Sequence, residues 1–296
     1  MIRNIVIAVD ATERSVDPLA LGKLLADAAR SPAVLVSIFP YDPLADPHGN
    51  ELPRVREEAR EILLQLGDEQ GVAVAEAQVV ASNLAARELQ SITERDTTRV
   101  IVVGSTSRGP VGRLFPGAVG ERLLAGSACP VAIASRGYAE HPAASLRTIG
   151  VAFDGSEESR HAMDAGRLLA RSSGARVRVI TVFEHFAFGG MATLRSGGVS
   201  VNELMRRELH GALDELLAGE PEDVVVEGRF LEGPAGAVLA EQSAELDLLV
   251  TGSRGYGPRA AVLLGSTTHK LMRAAPCPGL VMPRGVSLDL VHDPAE

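Results

Sequence analysis

A chain of 296 residues is about twice the usual single-domain length, so two domains of similar size are expected. Its net charge of −9 and the lack of any long Lys/Arg run argue against a nucleic-acid footprint. No segment approaches the roughly 20 consecutive apolar residues that span a bilayer, so no membrane insertion is expected.

The chain opens on Ile5-Val6-Ile7-Ala8-Val9-Asp10, whose apolar part is too short for a secretory core and ends at a carboxylate, so it reads as a first strand of a cytoplasmic protein. Short apolar runs then alternate with longer segments of helical period, the signature of β-α-β crossovers and a parallel sheet. Strands are predicted near 3–9, 33–39, 73–80, 99–103 and 130–134, with helices near 15–30, 50–70, 83–95 and 117–126. A second set follows, with strands near 148–153, 176–182, 223–229, 247–252 and 279–282 and helices near 157–173, 200–218, 235–245 and 266–275. Hydrophobic residues make up 46% of the chain and aromatics only 3%, which suits buried parallel strands.

The two sets are copies. Ile5 to Asp10 returns as Ile149-Gly150-Val151-Ala152-Phe153-Asp154, an offset of 144 residues. Val100 to Ser105 returns as Leu248-Leu249-Val250-Thr251-Gly252-Ser253, and Ala128-Cys129-Pro130 as Pro276-Cys277-Pro278, both at an offset of 148. Residues 1–138 and 147–285 are therefore read as tandem domains, each a five-stranded parallel sheet flanked by helices. The small polar stretch Ser135 to Ser145 reads as the linker. Cys129 and Cys277, at matching places before a buried strand, read as inert thiols.

The sharpest motif is Thr251-Gly252-Ser253-Arg254-Gly255, then residues 256–264, then Gly265-Ser266-Thr267. It begins at the carboxyl end of a strand and ends by opening a helix. Glycines let bare backbone approach a ligand, and the new helix offers unpaired N–H groups and a positive dipole end. A Gly-Gly turn and a Ser N-cap would explain single pieces of this pattern. The whole pattern, placed after a strand, points to phosphate binding. Asp154 at the end of the first strand has two open readings: acceptor for an adenine amino group, or helix cap.

With Val151-Ala152-Phe153-Asp154-Gly155-Ser156 and the loop Gly252 to Ser266, the chain resembles the universal stress protein family in its tandem form. That resemblance implies two Rossmann-like domains of the adenine nucleotide alpha hydrolase type. It also implies ATP, with Mg²⁺, as ligand and a regulatory role in stress response. Ala152, Asp154 and Val182 would then surround the base, and Thr251, Gly252, Arg254, Gly255, Gly265, Ser266 and Thr267 the ribose and phosphates. It further implies that the two sheets meet through their last strands as an intrachain pseudo-dimer, with a homodimer of chains also open.

The first copy departs from the pattern. It has Gly104-Ser105-Thr106-Ser107 in place of Gly252 to Gly255, and Gly117-Ala118 in place of Gly265-Ser266. Asp10, Gly104 and Gly117 remain, so a weaker first site is expected. The histidines show no metal-ligand spacing, and neither Gly-Lys-Ser/Thr nor Gly-x-Ser-x-Gly occurs. A regulator that is not an enzyme, or at most hydrolyses ATP slowly, is the favoured reading. A slow ATPase and a scaffold that binds no nucleotide are the alternatives.

Overall fold

The computed structural model describes residues 4–10, 16–41, 51–94, 98–105, 114, 117–185, 200–253, 270–271, 273–286 and 288. The first half contains β1 (Asn4–Ala8), α1 (Val16–Ala29), β2 (Ala33–Phe39), α2 (Leu52–Glu69), β3 (Val74–Ala81), α3 (Ala85–Thr93), β4 (Thr98–Gly104), α4 (Ala118–Gly126) and β5 (Val131–Ala134). The second contains β6 (Thr148–Ala152), α5 (Glu157–Ser173), β7 (Arg176–Phe183), α6 (Val201–Ala218), β8 (Val226–Glu232), α7 (Ala235–Gln242), β9 (Leu248–Gly252) and β10 (Gly279–Met282).

All ten strands form one sheet in the order β3-β2-β1-β4-β5-β10-β9-β6-β7-β8. Each half has the 3-2-1-4-5 order of a doubly wound fold. The halves meet at β5 and β10, which pair antiparallel with Leu280 opposite Ala132 and Gly279 opposite Ile133. The expected junction through the last strands is therefore present, and it removes two sheet edges that separate domains would expose.

The hydrophobic core follows the sheet across the junction. One face buries Ile7, Leu25, Val102 and Ala132 together with Val151, Met163, Val250 and Leu280. The other buries Ile101, Leu123 and Ile133 together with Ile180, Leu249 and Val281. Helices α1 and α5 pack on each other above the seam. The backbone N–H of Leu114, a fully buried residue, also reaches across to the carbonyl of Ala275 at 3.0 Å.

Two sequence expectations need correction. The strand placed at 223–229 lies at Val226–Glu232. Its register is set by pairing Val177 with Val226, so Val224 becomes a buried plug and Val225 is left 71% exposed. The helix drawn over 235–245 stops at Gln242, and Ser243–Glu245 tightens into a 3₁₀ turn. The linker Ser135 to Ser145 joins β5 to β6 as an ordered strap with a 3₁₀ turn at Tyr138–Glu140. Gly137 enters it at a left-handed φ of +78°. The Asp17 carboxylate accepts from the N–H groups of Gly137 (2.8 Å) and Ala139 (2.9 Å), and the buried Tyr138 hydroxyl accepts from Ala143 N–H. Of the helix expected over 266–275, residues 270 and 271 are helical and residues 273 and 274 form a turn.

Both cysteines are buried and reduced. Burial pushes the Cys129 thiol up to about 11 and the Cys277 thiol up to about 12. A thiol with such a pKa is thiolate to only about one part in a thousand or less at pH 8. Iodoacetamide at pH 8 should therefore leave both unmodified in the folded protein while labelling both in denaturant. Rapid labelling of either one in the native state would contradict this.

Candidate functional site

The site is built at the carboxyl ends of β6, β7 and β9, where an open parallel sheet places ligands. At the end of β6 the chain turns through Asp154-Gly155-Ser156 into α5. The Asp154 carboxylate accepts from the Ser156 N–H (3.1 Å) and hydroxyl (2.5 Å). Ser156 in turn accepts from Ser159 N–H as the N-cap of α5. The cap is thus Ser156, and Asp154 braces it from the side. Two acidic residues in the first turn, Glu157 and Glu158, favour the same helix start.

Ala152, Asp154, Val182, Thr251 and Gly252, all singled out from the sequence, line one cavity of about 100 Å³. Ile180, Leu239 and Leu271 complete its apolar side. Arg254, Gly255, Gly265, Ser266 and Thr267 lie outside the described residues. Sequence reasoning missed Glu158, which lines the same cavity. Gly252 is pressed against it: a Cβ at position 252 would stand 2.7 Å from the backbone of Glu158. The Glu158 side chain is only 15% exposed, and its Oε1 faces Arg284 Nε at 3.4 Å. No spacing rule marks Glu158, because only the fold brings the first turn of α5 against the end of β9.

The first half holds the matching cavity, and its size is a surprise. Asp10, Gly104 and Gly117 line a space of about 880 Å³, floored by Ala8, Val36 and Val103 and walled on one side by Arg136 and Gly137 of the strap. Ligand cavities usually measure roughly 300–1,000 Å³. The first cavity is of that size and the second is below it. Among the described residues no group of three or more His, Cys, Asp or Glu is placed to hold a metal. None of the described helices is long and apolar enough to cross a membrane.

Comparison with known proteins agrees with this architecture. A universal stress protein of Thermus aquaticus is 29% identical over 144 residues, covering 46% of this chain and 98% of the relative. One of Mycobacterium bovis is 29% identical over 185 residues, covering 62% of this chain and 61% of its own length. The crystal structure of a universal stress protein from Archaeoglobus fulgidus superposes with a TM-score of 0.65 over 96% of this chain and 99% of that one, at 21% identity, which speaks to the fold alone. The sequence model of the universal stress protein family matches twice, over residues 1–135 and 145–283, so nearly the whole chain is accounted for and the chain belongs to the universal stress protein family, with two copies of its domain in tandem.

Proposed function

We propose that the chain is an ATP-binding regulator in stress response, with its principal nucleotide site in the second half. The observation that supports this most is the convergence of Ala152, Asp154, Val182, Thr251 and Gly252 on one cavity at the carboxyl ends of three strands. Ala152, Ile180, Val182 and Leu239 offer an apolar slot for a flat base, with a carboxylate at its edge that can accept from an exocyclic amino group. The sequence after Gly252 carries Gly255, Gly265, Ser266 and Thr267, residue types suited to donating backbone N–H groups and hydroxyls to phosphates. Mg²⁺ would travel on the phosphates. The lack of a Gly-Lys-Ser/Thr or Gly-x-Ser-x-Gly motif in the sequence suits a sensor better than a rapid hydrolase.

Mass spectrometry of nucleotide released on denaturing freshly purified protein tests the reading. ATP or ADP near one equivalent per chain is the expected result. If no adenine nucleotide is carried, and none binds on titration up to millimolar concentration with Mg²⁺, the reading is wrong.

A further inference from the structure

We propose that the outer edge of β8 is an interface for a second copy of this chain, the two β8 strands pairing antiparallel about Gly228. This surface is distinct from both cavities and does not depend on the nucleotide reading.

β8 closes one end of the ten-stranded sheet, and among the described residues no strand lies beyond it. An uncovered edge is a template for another strand unless proline, a bulge or unmatched charge blocks it. β8 has no proline within Val226–Glu232, and its seven residue pairs with β7 run without a register shift. That parallel pairing also fixes which backbone groups face outward. Val177 N–H donates to the Val225 carbonyl at 2.8 Å, and Gly233 N–H donates to the Phe183 carbonyl at 3.0 Å. The odd-numbered residues of the strand therefore turn their N–H and carbonyl groups to β7, and Val226, Gly228 and Phe230 turn theirs to the outer edge.

Residues that exchange hydrogen bonds across an antiparallel pair must both come from this outward set, which restricts the registers open to a second β8. With Gly228 opposite its own copy, Val226 faces Phe230, Val225 faces Leu231, and each Glu227 stands opposite an Arg229. The two neighbouring registers, centred on residue 227 or 229, set Glu227 against Glu227 or Arg229 against Arg229. Facing opposite charges stabilise a strand pair and facing like charges oppose it. Of the three, the Gly228 register alone joins the hydrogen-bonded ladder to matched charge.

The side chains are placed for it. Glu227, 41% exposed, accepts from the neighbouring Arg178 through Oε1, and a carboxylate can accept at both oxygens, so Arg229 of the second copy can join the same group. Arg229 is held along the α7 face of the sheet by donating to Gln242 Oε1 at 3.2 Å. The pairing would also cover Val225, which is 71% exposed in the single chain. The other end of the sheet offers no such match, since β3 carries Glu76 and no cation.

Sedimentation velocity of the full chain, from low micromolar to near-millimolar concentration, tests the proposal. A monomer–dimer equilibrium is expected. Arg229→Glu should weaken it about tenfold or more, and Glu227→Arg combined with Arg229→Glu, which restores opposite charges in the same register, should bring it back to within about threefold of the wild type. Circular dichroism checks that each variant folds. Hydrogen exchange on the wild type needs no variant: a peptide spanning residues 224–232 should exchange more slowly as the dimer fills. A chain that stays monomeric throughout, a dimer without that protection, a dimer equally stable in Arg229→Glu, or a double variant that fails to recover would each overturn the proposal. So would growth beyond dimers with protection at residues 74–81 as well, the mark of β8 adding to β3 of the next chain in an open array.

Discussion

Replacing Leu280 by Ala is expected to destabilise both halves at once, in a single thermal transition lowered by roughly 3–8 °C. Leu280 is fully buried at the seam, opposite Ala132 on β5 and beside Val250 on β9. Removing such a side chain from a packed core costs about 2–5 kcal/mol. In a chain this long the unfolding entropy of about 0.6 kcal/mol/K makes each kcal/mol worth roughly 1.6 °C. The cost is shared because the sheet and both core clusters run through the seam. Differential scanning calorimetry reads the outcome. Two resolved transitions, with only one shifted, would mean that the halves fold independently despite their joint sheet.

The second large effect concerns the unequal sites. Gly265→Val combined with Ser266→Ala is expected to weaken the strong ATP site by about a hundredfold or more, while Gly117→Val leaves it intact. The double change removes one close backbone approach and one hydroxyl donor, and hydrogen bonds to charged groups contribute roughly 1.5–3 kcal/mol each. Gly252→Val should act in the same direction from within the described site, because its Cβ would collide with the backbone of Glu158, which cannot rotate away. Calorimetric titration should show one strong site per chain in the wild type. The wide first cavity does not contradict this ranking. Volume admits a ligand, but donors hold it, and the first copy has Ser107 and Ala118 where the second has Gly255 and Ser266. Strong binding lost only on changing Gly117 would reverse the assignment.

Much of the fold was legible because buried parallel strands announce themselves. Val131–Ala134 and Gly279–Met282 are continuous apolar runs and Ala33–Phe39 is interrupted only by Ser37, and the structure places strands over those same residues. β8 was misplaced because it is an edge strand, half solvated on both faces, where hydrophobicity is a poor guide and register decides. That the linker is an ordered strap was not legible for a different reason. What fixes it is a carboxylate 120 residues earlier in the chain, Asp17 holding Gly137 N–H, and no local composition reveals such a partner. Glu158 was missed on the same ground. The sequence could propose Asp154 and Gly252 from their motifs, but the contact between Gly252 and Glu158 exists only once α5 lies against β9.

The antiparallel pairing of β5 with β10 also fixes where the chain can be approached. Every strand of the first half runs parallel with β5 and every strand of the second with β10, so the two carboxyl rims point in opposite directions. The two cavities, each at its own carboxyl rim, therefore lie at opposite ends of the strands. The continuous sheet between them, paired through β5 and β10, holds the two rims in one fixed relation.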